Sequence, residues 1–125
     1  MIIGFDFYKT LSAYPRKFRT LISSYISEGH HIVVISALSD RSDVENYTRH
    51  MKDFLAQHNL TYHELQVVVF HDDQEIPDVK LEACKEKGVE VYYDDREDVC
   101  QKLNENDILA FKVGHKNKKD KSFFT

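Results

Sequence analysis

The chain has 125 residues, 42% hydrophobic and 30% charged, a composition that fits one soluble globular domain and leaves no room for a catalytic core plus a sizeable lid. Its formal net charge of −4 argues against broad, charge-driven nucleic-acid binding while leaving a local basic patch open. The two cysteines, Cys84 and Cys100, show no zinc-ligand spacing and are expected to be buried, reduced thiols of a cytoplasmic protein; the apolar run over 2–7 is too short for a signal or membrane segment, so no membrane partner is expected.

The first ten residues, MIIGFDFYKT, carry an apolar run that ends on one carboxylate, Asp6, with Thr10 four positions later. A short run of this kind predicts a strand buried on both faces, and open α/β sheets bind ligands just beyond the carboxyl ends of such strands. After a loop at 11–14, Pro15 opens a helix whose apolar face is Phe18, Leu21, Ile22, Tyr25 and Ile26, and Gly29 stops it. A second buried strand, 31–36, ends on the hydroxyl of Ser36. Ser42 and Glu45 have the spacing of a capping box, followed by a helix carrying Val44, Tyr47, Met51, Phe54, Leu55 and His58 on the pattern of core packing, as far as Asn59.

A third strand over 66–70 leads into a polar loop, 71–75. Pro77 and Asp78 open a third helix through Lys87, with Leu81 and Cys84 facing inward and Gly88 as its stop. The fourth strand, 89–93, ends on the pair Asp94-Asp95. A short helix at 98–103 precedes a fifth strand, 108–113, and residues 114–125 form a basic segment without periodicity, read as a mobile tail. Strands alternating with helices imply crossover connections. The fold class is therefore α/β, a single Rossmann-like domain over 1–113 with a five-stranded, mainly parallel sheet covered by helices on both faces and no sizeable cap.

Parallel strands bring their carboxyl ends to one edge, so Asp6, Ser36 and Asp94-Asp95 should meet there, with Lys80 entering from the third helix. Crowded carboxylates repel unless a hard cation neutralises them, and oxygen ligands suit magnesium. A hydroxyl and a lysine beside such a site would hold a phosphate, and Asp6 becomes a candidate nucleophile, since carboxylates form aspartyl-phosphate intermediates.

Apolar strand-Asp-x-x-x-Thr, strand-Ser, Lys and strand-Asp-Asp, in this order across 2–98, resemble the four motifs of the haloacid dehalogenase-like hydrolase superfamily. The short intervals after the first two motifs resemble its capless members. This resemblance implies Asp6 as nucleophile with Lys80 as its catalytic partner, and a phosphate grip by Thr10, Ser36 and Lys80. It also implies Mg2+ held by Asp6, the backbone carbonyl of Tyr8 and the pair Asp94 and Asp95, with the direct ligand of the pair left open. More narrowly, Val33-Val-Ile-Ser36, Lys80 and the tract from Tyr93 to Asp98 are similar to the 3′-phosphatase domain of phage polynucleotide kinases and to small deoxynucleotidases. The implied partners are a phosphorylated small molecule, a nucleotide or a nucleic-acid end, with oligomeric state open.

Two positions depart from the family pattern. Its phosphatases usually carry a second aspartate two residues after the nucleophile to protonate the leaving group, and here that position is Tyr8. A phenol with a reference pKa of ~10 is a poor acid, which gives a second reading, a catalytically impaired binding or regulatory module. A tyrosine there also resembles the haloacid dehalogenases proper, but those have a helical cap for which this chain has no room. Lys9 stands where a glycine is usual and either helps bind phosphate or points to solvent. His71, at the end of the third strand, is a candidate substitute acid, set against the simpler reading of a surface histidine.

Overall fold

The computed structural model describes residues 1–114; apart from Gly114, the expected tail lies outside them. Five strands, β1 (Ile2–Phe5), β2 (His31–Ser39), β3 (Glu64–Phe70), β4 (Val91–Asp94) and β5 (Leu109–Lys112), form one sheet in the order β3-β2-β1-β4-β5. Every neighbouring pair is parallel. The architecture is the expected Rossmann-like α/β sheet, all-parallel throughout. The chain winds outward from β1 through β2 to β3, then crosses back to β4 and β5. Its reversal of direction falls between β1 and β4, the place where open sheets of this class leave a crevice at their carboxyl edge.

Two cores flank the sheet. Helices α1 (Pro15–Ser27) and α2 (Val44–Gln57) bring Phe18, Ile22, Met51 and Leu55 against Ile3, Phe5, Ile32 and Val34 on one face. Helices α3 (Ile76–Lys87) and α4 (Glu97–Asn104) bring Ala83, Cys84, Val99 and Leu103 against Val33, Ile35 and Tyr92 on the other. Successive residues of β2 thus serve opposite cores, which is why that strand is apolar without alternation. Cys84 and Cys100 are free, buried thiols, and burial pushes both up to about 12. Among the described residues no helix is long and apolar enough to cross a membrane.

Several boundaries differ from the sequence reading, each for a local reason. Asp43, not Ser42, caps α2, its carboxylate accepting from the Asn46 amide at 3.0 Å. β2 continues three residues past Ser36 because β3 stays in register with it as far as Ser39 and Phe70, after β1 has already turned away. Tyr47 shares a helical spacing with the core residue Met51 yet is 48% exposed. β3 begins at Glu64, held by a 2.8 Å contact to the His31 ring, and α4 begins at Glu97.

Gly4 connects this architecture to the sheet's carboxyl edge. It pairs with Tyr92 across the β1–β4 ladder, and a Cβ at Gly4 would lie 2.6 Å from a Tyr92 ring carbon. The glycine lets the Tyr92 ring cross β1, and its hydroxyl donates to the Ile35 carbonyl at 3.2 Å. Gly4→Ala is expected to lower stability by ~1–3 kcal/mol, the range for overpacking a filled interior. Urea unfolding checks this, and an unchanged midpoint would show that the Tyr92 ring moves aside without cost.

Candidate active site at the carboxyl edge of the sheet

The chain leaves β1 at Asp6, whose amide still donates to the Tyr93 carbonyl at 2.9 Å. Two five-residue hydrogen bonds, Leu11 N–H to the Asp6 carbonyl at 3.4 Å and Ser12 N–H to the Phe7 carbonyl at 3.0 Å, then close a wide turn. Inside it Tyr8 is extended and Lys9 is left-handed, with φ 62°. That region costs a non-glycine residue ~1–2 kcal/mol. The Lys9 amide, donating to Ser12 Oγ at 2.9 Å, helps hold the conformation. The turn buries Phe7, Thr10 and Leu11 and leaves Tyr8 67% exposed.

Lys80, near the start of α3, is 2% exposed and sends its ammonium into the edge of the sheet. Nζ donates to Asp6 Oδ1 at 2.8 Å, Asp94 Oδ2 at 3.0 Å and the Tyr92 hydroxyl at 2.8 Å, with the Ile35 carbonyl a longer fourth acceptor at 3.3 Å. The second oxygen of Asp6 accepts from Thr10 Oγ1 at 3.1 Å. Both oxygens of Asp6 are thereby fixed, and its carboxylate plane with them. The other oxygen of Asp94 accepts from the Arg96 amide at 3.0 Å.

The electrostatics are those of a crowded, dry cluster. Burial, followed by the charge of Asp94, holds the Asp6 carboxyl well above the usual carboxylate range, and the Lys80 ammonium offsets part of that rise. For Lys80 burial favours the neutral amine, but attraction to Asp6 and Asp94 outweighs it and keeps the ammonium charged. Asp95, half-buried, is also raised, first by burial and then by Asp94.

Carboxylate oxygens of Asp6, Asp94 and Asp95 all lie within 4.8 Å of one another and could hold a metal ion. An all-oxygen set of hard, anionic donors fits a hard divalent cation such as magnesium. Ser36 is 2% exposed and follows Ile35, the residue whose carbonyl accepts from Lys80. The structure thus brings Asp6, Thr10, Lys80, Asp94 and Asp95 together, with Ser36 beside them.

Lys9 and His71 lie apart from this cluster of contacts. Lys9 is exposed and its ammonium sits 5.8 Å from the centroid of the Tyr8 ring. His71 is 75% exposed at its side chain and pairs with Asp40 at 2.6 Å. The hydrogen bond that the His71 ring donates to Asp40 raises the imidazole above its ordinary value and lowers the Asp40 carboxyl. Tyr92 escaped the sequence reading because its hydroxyl earns meaning only from the ring's passage over Gly4; the tyrosine opposite a glycine on adjacent strands is the signal that could have found it.

Comparison with known proteins reaches the fold alone. No family model matches the chain, and no curated protein matches it. A chain in the structure of the Pnkp1/Rnl/Hen1 complex superposes with a TM-score of 0.69 at 17% identity, over 93% of the present chain and 46% of that one. The present chain therefore spans about half the length of this structural relative.

Removing the ammonium tests the balance of charge in the cluster. Lys80→Met, measured without divalent cations at pH 7, should lose ~3–5 kcal/mol of stability because Asp6 and Asp94 are left buried without their cation. Asp6 already binds its proton above the unfolded carboxyl value, and without Lys80 it binds it at still higher pH. The folded variant then holds more protons than the unfolded chain, so its deficit should shrink as pH falls from 7 to 5. A deficit independent of pH would contradict this charge assignment. For the surface pair, an NMR titration of His71 should give a pKa above the reference 6.5 that drops in Asp40→Asn, and no difference between the two proteins would remove the contact from solution.

Proposed function

We propose that the protein is a magnesium-dependent phosphohydrolase that acts through an aspartyl-phosphate at Asp6 on a nucleotide or nucleic-acid terminal phosphate. The observation that carries this reading is the Asp6 carboxylate, held by Lys80 at 2.8 Å and Thr10 at 3.1 Å, with the oxygens of Asp94 and Asp95 within 4.8 Å. A purely structural carboxylate has no need of two further acids in a buried cluster, since each raises the cost of ionising the others. The order of the Asp, Ser, Lys and Asp-Asp motifs supports the same chemistry.

In this mechanism an oxygen of Asp6 attacks the phosphorus, and the bond from phosphorus to the ester oxygen breaks. Water then attacks the aspartyl-phosphate, releasing inorganic phosphate and restoring the carboxylate. Lys80 and Thr10 orient the nucleophile, the Lys80 ammonium lowers the cost of ionising it, and Ser36 grips a phosphate oxygen beside that positive charge. Asp6, Asp94, Asp95 and the Tyr8 carbonyl would hold magnesium, which would supply charge neutralisation between the attacking acid and the phosphate dianion. The leaving oxygen receives no proton from a carboxyl group at position 8, so good leaving groups are favoured. Likeness to the phosphatase domains of phage polynucleotide kinases points to nucleotide-type substrates, and the fold-level match to a chain of the Pnkp1/Rnl/Hen1 complex agrees with that direction. Tyr8, at 67% exposure, is the observation that favours the second reading, a binding or regulatory module that keeps the metal-site residues without full catalysis.

Hydrolysis of para-nitrophenyl phosphate should require magnesium, stop in EDTA and be abolished in Asp6→Asn. Turnover that survives in Asp6→Asn would remove the nucleophile assignment, and absence of turnover in the native protein would favour the binding module. Tyr8→Asp should raise the rate on alkyl phosphates by up to ~10²- to 10⁴-fold, the usual worth of general acid catalysis. No gain on those esters would show that proton delivery is not what limits the native protein.

A further inference from the structure

Beside the acidic cluster, a groove of about 380 Å³ runs between the wide turn after Asp6, the end of β2 and one face of α2. Ser36 lies among its lining residues, so the groove opens from the place where the phosphate grip is proposed. Phe7, Met51 and Phe54 supply apolar, buried or half-buried lining, while Tyr8 and Tyr47 are large aromatic residues left 67% and 48% exposed. Four serine hydroxyls and the His50 ring add hydrogen-bonding groups. Among the residues lining the groove none is acidic, although the chain carries 21 Asp and Glu.

Each of these properties narrows the ligand. Exposed tyrosines at a mostly apolar groove present flat faces on which a planar ring can stack, and base–aromatic stacking contributes ~1–3 kcal/mol per base. The absence of carboxylates spares an anionic ligand the repulsion it would meet elsewhere on this acidic protein. The volume lies within the range of pockets that enclose one small molecule, and it suits a single nucleoside rather than a macromolecular surface. Tyr8 occupies the position two residues after Asp6 and lines this groove.

Resting on the phosphohydrolase reading, we propose that this groove is the nucleoside subsite, with the base stacked against Tyr8 and Tyr47 and its phosphate directed to Ser36 and Asp6. Tyr8 then serves as a leaving-group binder in place of a proton donor. The ligand is a nucleoside monophosphate unit, free or at the 3′ end of a strand.

The test compares binding with turnover. Binding of a nucleoside 3′-monophosphate and of a 3′-phosphorylated oligonucleotide is measured by calorimetry with magnesium, for the native protein, Tyr47→Ala and Tyr47→Phe. Hydrolysis of the same nucleotide and of acetyl phosphate, which has no ring, is measured alongside. Tyr47→Ala should weaken nucleotide binding by ~5- to 100-fold and lower the nucleotide-to-acetyl-phosphate ratio of kcat/KM through KM, while Tyr47→Phe keeps both near native. The tighter of the two ligands identifies the source of the nucleoside. Equal nucleotide affinity in the native protein and Tyr47→Ala overturns the subsite. Hydrolysis of acetyl phosphate without nucleotide binding also overturns it while leaving the phosphatase intact. Nucleotide binding that depends on the Tyr47 ring, with neither ester hydrolysed, upholds the subsite and removes the catalytic reading.

Discussion

The carboxyl edge of the sheet depends on one buried ammonium. Lys80 lies between Asp6 and Asp94 at 2.8 and 3.0 Å with almost no access to water, a costly arrangement for a small domain. Buried ion pairs of this kind are often no more stable than apolar groups of the same volume, so stability alone gives little reason for such a cluster. Chemistry gives a better one. When all are ionised, Asp6, Asp94, Asp95 and Lys80 together retain two negative charges, the amount a divalent cation carries. The lysine offsets part of the rise that burial and Asp94 impose on Asp6, and leaves a charge deficit that a hard metal can fill.

The fold delivers these groups through its direction of winding. Asp6 leaves β1 and Asp94 ends β4, the two strands that adjoin where the chain reverses its course across the sheet. Gly4 and Tyr92 add a support inside the sheet: the glycine lets the ring pass, and the hydroxyl links Lys80 to the Ile35 carbonyl. Ser36 follows in sequence, so one strand supplies the carbonyl that serves the lysine and a buried hydroxyl-bearing residue that lines the groove. The wide turn after Asp6 completes the arrangement by burying Thr10 against the carboxylate while turning Tyr8 outward toward the groove.

Much of this was legible in the residues. Apolar runs ending on Asp6 and on Asp94-Asp95 marked parallel strands and the acidic residues at their carboxyl ends, because strands buried on both faces cannot alternate. Pro15, Gly29 and Gly88 marked helix ends through backbone geometry that few other residues adopt as readily. What stayed hidden was decided by distant contacts. Asp43 took the cap from Ser42 through a choice of side chains one position apart, and β2 outran Ser36 because β3 continued beside it. Tyr47 carries the same helical spacing as Met51, and spacing cannot tell a core aromatic from one at the rim of a groove. His71 found its carboxylate partner in Asp40, 31 residues away, a pairing set by the β2–β3 register.

The most direct measurement is to quench the protein with acid during turnover of acetyl phosphate in magnesium and to map any phosphoryl adduct by peptide mass spectrometry. The account predicts one phosphoryl group on the peptide containing Asp6, dependent on magnesium and missing in Asp6→Asn. An adduct on a different residue, or one that persists in Asp6→Asn, would contradict it.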